Sequence, residues 1–64
     1  MLALKDRKAT IEWAKANARR TGTPQYIFMY GSFHHIEKTP PKGIFGSHPY
    51  LKVMPDGTVT EHKS

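Results

Sequence analysis

The chain contains no cysteine. No disulfide and no thiolate metal site can therefore supplement its core. Long apolar runs are missing as well. Nothing approaches the roughly 20 apolar residues that span a bilayer. The opening MLAL, ahead of Lys5 and Asp6, is too short for the core of a secretory signal. These absences point to a cytoplasmic protein with no membrane contact. Acidic residues are scarce: five Asp and Glu face ten Lys and Arg, giving a formal net charge of +5. That balance favours nucleic acid or an acidic protein surface as partner, and speaks to association rather than fold.

What is present fits one small domain, residues 1–64. No low-complexity segment or domain boundary interrupts it. A chain of this length buries only about 60% of the surface its unfolded form exposes. With no staple available, a partner or a homodimer is the remaining way to add burial.

DRKATIEWAKANARRT (6–21) predicts a helix. Asp6 suits the N-cap, Arg19 and Arg20 sit where the C-terminal dipole favours cations, and Gly22 with Pro24 forms a stop signal. Leu4, Ile11, Ala14 and Ala18 fall on one side. Ala9, Trp13 and Ala16 fall on nearly the other, because Ile11 and Trp13 differ by roughly 200° at ~100° per residue. A charged stripe of Lys8, Glu12, Lys15 and Arg19 runs between them. A surface helix needs only one apolar face, so either Ile11 or Trp13 is surface, or the second face meets a partner.

PQYIFMYGSFHHIEK (24–38) predicts a hairpin, with Gly31-Ser32 as the two-residue loop of a type II′ turn. That register pairs Tyr30 with Phe33, Phe28 with His35 and Tyr26 with Glu37, all on one face. Ile27, Met29, His34 and Ile36 share the other. The aliphatic set is the expected inner face, since it suits the alanine-rich helix surface. TPPKG (39–43) is a loop. HPYLKVMPDGTVTEH (48–62) predicts a second hairpin, closed at Pro55-Asp56-Gly57, with Val53 opposite Val59. The fold class expected is α+β: one N-terminal helix packed on a small three- to four-stranded antiparallel sheet made of two hairpins.

Chemistry concentrates in two similar stretches, YGSFHHIEK (30–38) and FGSHPYLKV (45–53). Their shared Gly-Ser is explained by turn formation. His34, His35, His48 and His62 lack metal-ligand spacing, and His34 and His35 would point to opposite faces, so no metal and no cofactor is expected. Tyr26, His35 and Glu37 share a face, and histidine is a general acid or base near neutral pH. YIFMYGSFHHIEK also resembles the HicA-type toxins, small mRNA-cleaving proteins with a double-stranded-RNA-binding-like fold and a Gly-Ser-His-His stretch. GSHPYLKVMPDG echoes their following Pro-Asp-Gly turn. That resemblance implies a ribonuclease using His34 or His48, with a second helix at the end of the fold. Here Phe33 stands between Ser32 and His34.

Taken together, the residues favour a non-catalytic binding protein over an enzyme. The expected contacts to nucleic acid, or to the machinery that handles it, are the basic residues Lys8, Lys15, Arg19 and Arg20 and an aromatic sheet face of Tyr26, Phe28, Tyr30, Phe33 and His35. The alternative is a phage or mobile-element inhibitor or adaptor that docks on a larger host protein, with Trp13 and the tyrosines as anchors.

Overall fold

The computed structural model describes residues 2–42 and 49–63. In chain order the elements are β1 (Leu2–Leu4), α1 (Arg7–Thr21), β2 (Gln25–Tyr30), β3 (Phe33–Glu37), β4 (Tyr50–Val53) and β5 (Val59–His62). The class is α+β, one helix on an open antiparallel sheet.

Helix α1 starts and stops where its capping chemistry dictates. The Asp6 carboxylate accepts from the Ala9 N–H at 2.7 Å, and the Thr10 hydroxyl donates to the Asp6 carbonyl at 2.6 Å. An N-cap of this kind contributes about 1 kcal/mol. At the other end Gly22 takes φ 69°, and its N–H donates to the Ala18 carbonyl at 2.8 Å. Left-handed backbone here suits glycine, which has no Cβ to clash.

Among the described residues the sheet has five strands in the order β1-β3-β2-β4-β5, one or two more than the sequence suggests. The added strand is β1, which pairs with β3 through Leu2↔Ile36, Ala3↔His35 and Leu4↔His34. Three residues of LAL carry no alternation, so only the partner strand makes them a strand. Leu4 therefore belongs to the sheet and not to the helix. It still packs partly buried beside Ile11 against the core, as its grouping with Ile11 anticipates.

Both hairpins have the expected register. In the first, Tyr30↔Phe33, Phe28↔His35 and Tyr26↔Glu37 are opposite one another. Gly31 has φ 64° and Ser32 is not positive, which distinguishes a type II′ from a type I′ turn. In the second, Val53↔Val59 are paired and the Met54 N–H donates to the Thr58 carbonyl at 2.8 Å. β2 joins the hairpins by pairing with β4 through Ile27↔Leu51 and Phe28↔Tyr50.

The core is aliphatic and lies between α1 and one sheet face. Ala14, Ile27, Ile36, Leu51 and Val53 form it, with Leu4 and Ile11 packed against it. Thr10, Ala14 and Ala18 are the buried line of the helix. These small side chains let the helix approach the sheet closely, so that the larger volumes come from the strands. Trp13 is left 43% exposed, which assigns the Ile11 side of the helix to the interior. Full burial of each Ile, Leu or Val contributes about 1.5–3 kcal/mol.

No described helix is long and apolar enough to cross a membrane. The second helix implied by the HicA resemblance has no counterpart among the described residues. Phe45, Gly46, Ser47 and His48, which open the second Gly-Ser-His stretch, lie outside them.

Candidate nucleic-acid interface

Alternation along the strands decides what the face opposite α1 carries. Ile27, Ile36, Leu51 and Val53 point toward the helix. Their neighbours Tyr26, Phe28, Tyr30, Phe33, His35 and Glu37 therefore share the open face. Tyr50 and Lys52 of β4 continue it, opposite His62 and Thr60 of β5.

The rings are organised in contact with one another. Phe28 and His35 stack with centroids 5.6 Å apart and planes 17° from parallel. Tyr30 meets the same imidazole edge-on at 5.9 Å. Tyr50 and His62 stack at 4.7 Å and 7°. Tyr26 bridges toward this second stack by an edge contact with Tyr50 at 5.8 Å. Two ammonium groups lie over the rings: Lys5 is 5.6 Å from the Phe33 centroid and Lys52 is 6.0 Å from that of Tyr26. Cations at this distance are attracted by the ring quadrupole.

The members of the face differ in access. Tyr30 and Phe33 are 53% and 41% exposed, whereas Phe28 is only 8% exposed. His35 on one side and Tyr50 on the other cover Phe28, being its cross-strand partners. Phe28 therefore supports the His35 imidazole rather than offering its own ring. Tyr26, His35, Tyr50 and His62 are intermediate. Tyr50 and His62 were absent from the residues picked out by sequence. The Val53↔Val59 register, carried three residues outward on each strand, was the signal that pairs them.

The helix cations occupy a different surface. Lys8, Arg19 and Arg20 are exposed on α1, and Lys15 is half-buried with its ammonium 3.7 Å from the Glu12 carboxylate. Arg20 also donates to the Asn17 side chain. Because α1 lies on the aliphatic side of the sheet, its outer surface and the aromatic face are on opposite sides of a two-layer molecule. The charge is divided in the same way. Arg7–Thr21 carries five of the ten Lys and Arg but only one of the five carboxylates, Glu12. The remainder of the chain is nearly balanced.

Lys15, Arg19 and Arg20 line a shallow groove, walled on its far side by Pro55 and Gly57 of the β4–β5 turn. That turn is fixed by Asp56, whose Oδ1 accepts from the Thr58 N–H at 2.9 Å. The same bond holds the Asp56 carboxyl below its ordinary range.

His34 and His35 do separate, as alternation requires. His34 is 8% exposed on the helix side, where its Nδ1 donates to the Leu4 carbonyl at 3.1 Å and ties β3 to β1. His35 belongs to the aromatic face. Tyr26 and Glu37 are direct partners on that face with His35 adjacent. Among the described residues no three His, Asp or Glu side chains gather as a metal would require. No family model, no curated protein and no solved structure matches the chain.

Proposed function

We propose that this protein binds single-stranded nucleic acid on its open sheet face, by base stacking and without cleaving it. The observation that carries the reading is the set of ordered aromatic and imidazole rings with Lys5 and Lys52 above them. Every base has a π-face, so a ring platform accepts unpaired bases without sequence preference. The lysines supply the phosphate contacts that give such binding its salt dependence. A large aromatic patch on one side of a small protein is itself a sign of an interaction surface.

The test is fluorescence anisotropy with labelled homopolymer strands and with duplex of equal length. Single strands should bind and duplex should bind more weakly. Tyr30→Ala and Phe33→Ala should each weaken binding by about 1–3 kcal/mol, the usual worth of one stacked base. Equal affinity of the wild type and both variants would sink the reading.

A second reading is favoured by Trp13, which is 43% exposed on the flank of α1. Tryptophan is a frequent anchor at protein interfaces, and it fits an inhibitor or adaptor that docks on a larger protein. Under that reading Trp13→Ala abolishes partner capture and leaves strand binding untouched.

A further inference from the structure

From the division of rings and charge between opposite faces, we infer that one molecule holds two nucleic-acid strands at once. The first lies on the sheet by its bases. The second lies along α1 by its phosphates. This rests on the sheet-face reading above and adds a second site of different chemistry.

The excess positive charge of the chain sits on the helix, away from the rings. Lys8 and Arg19 are eleven residues apart and both exposed. Three helical turns separate them, so they share one face about 16 Å apart along the axis. Arg19 and Arg20 continue into the groove beside Pro55 and Gly57. The result is a line of cations on a rigid element, matched to a phosphate track. Glu12 lines the same groove and occupies Lys15 at 3.7 Å, while the exposed carboxylates of Asp56, between Pro55 and Gly57, and of Asp6, beside Lys8, border the track. Among the described residues no aromatic side chain lines the groove. Trp13 is exposed on α1 but does not line this groove, so the cations there should take phosphates regardless of base.

Geometry keeps the two sites independent. A strand stacked on the sheet is separated from the helix cations by the whole thickness of sheet, core and helix. A short strand on one face leaves the other open. The consequence is a protein that bridges strands, with one contact set by bases and the other by charge.

Native mass spectrometry with a six-nucleotide unstructured strand tests this. The wild type should form complexes of one protein with one strand and, at higher strand concentration, one protein with two. Lys8→Gln/Arg19→Gln/Arg20→Gln, checked for helix content by circular dichroism, should form only the first complex, with unchanged affinity. Glu12→Gln should strengthen the second step. In the wild type that step should also carry the steeper salt dependence, with about 2 of its log–log slope coming from three phosphate contacts.

Stoichiometry that stops at one strand in both the wild type and Glu12→Gln overturns the inference while leaving the sheet reading intact. So does a two-strand complex that survives the triple variant. A poly-glutamate peptide that occupies the helix site where a second strand does not would assign that surface to an acidic protein instead. If the triple variant binds no strand at all, the helix is the only site, and the sheet reading fails with the bridge.

Discussion

Ile27 and Phe28 are adjacent in sequence, lie on opposite sides of one strand, and are both buried, at 3% and 8% exposure. The first is covered by α1 and the second by rings of its own sheet face. The strand thus contributes to two apolar clusters at once. Truncation should separate them. Ile27→Ala opens a cavity in the core under the helix and should cost about 2–5 kcal/mol. In so short a chain that is comparable to the whole stability. Phe28→Leu keeps apolar volume but removes the face on which His35 stacks. It should fold, with Tm lowered by a few degrees, and bind strand more weakly. Thermal unfolding followed by anisotropy distinguishes the two. Unimpaired binding by a folded Phe28→Leu would show that the His35 stack plays no part.

The type II′ turn provides the second prediction. Gly31 holds φ 64°, and a Cβ built there would meet nothing within 4 Å. Any cost of substitution is therefore conformational rather than steric. Gly31→Val should destabilise by more than the roughly 1–2 kcal/mol that a left-handed residue ordinarily costs, because branching at Cβ worsens the strain. Gly31→Asn should fall nearer the low end, and Ser32→Asn should be neutral. Urea midpoints measure all three. Equal midpoints for the Val and Asn variants would contradict the conformational argument.

The sign of the Asp56 shift fixes a third. Its carboxyl titrates below the ordinary value because the ionised form accepts the Thr58 N–H. A depressed folded value means stability that is present above the unfolded pKa and lost as pH falls through the folded one. Asp56→Asn keeps an oxygen acceptor for the Thr58 N–H but cannot titrate. It should match the wild type more closely at low pH than at neutral pH. Asp56→Ala should be weaker than either near pH 7. Unfolding midpoints between pH 2 and pH 7 give the comparison. Asp56 is fully exposed, so the effect is small and the direction is the observable.

Much of this architecture is legible in the residues because it depends on local rules. Asp6 and Gly22 bound the helix by capping, and Gly31-Ser32 fixes the first hairpin to the residue. Alternation then separates Ile27 and Ile36 from Phe28 and His35 without any tertiary information. Three features are not legible, each because it depends on residues distant in sequence. Leu2–Leu4 is a strand only because β3 offers it an edge. The pairing of β2 with β4 spans the long connection after β3, and no local pattern announces it. Phe28 is shielded by Tyr50, more than twenty residues away, so its burial could not be read from its own hairpin. The placement of the helix cations away from the rings does follow from the sequence once the aliphatic face is taken as inner. That step separates what composition alone would merge into one basic aromatic surface.

Adjacent histidines supply the last prediction, since His34 and His35 differ in every respect but position. His34 is buried on the helix side and donates to the Leu4 carbonyl, the contact that fastens β1 to the sheet beyond its main-chain ladder. His34→Ala removes that donor and leaves the Leu4 carbonyl short of a partner, at a cost of about 1–3 kcal/mol. The loss should appear as faster hydrogen exchange at Leu2–Leu4 and Ile36, with strand affinity of the folded fraction unchanged. His35 lies between Phe28 and Tyr30 on the open face. His35→Ala should leave the β1 amides protected and weaken strand binding, while His35→Phe, which retains a ring, should recover most of it. If the proposed non-cleaving binding holds, RNA incubated with the wild type or with either variant should stay intact over hours. Cleavage by the wild type that disappears in either variant would restore the ribonuclease alternative. Protection lost in His35→Ala but retained in His34→Ala would reverse the roles of the two residues.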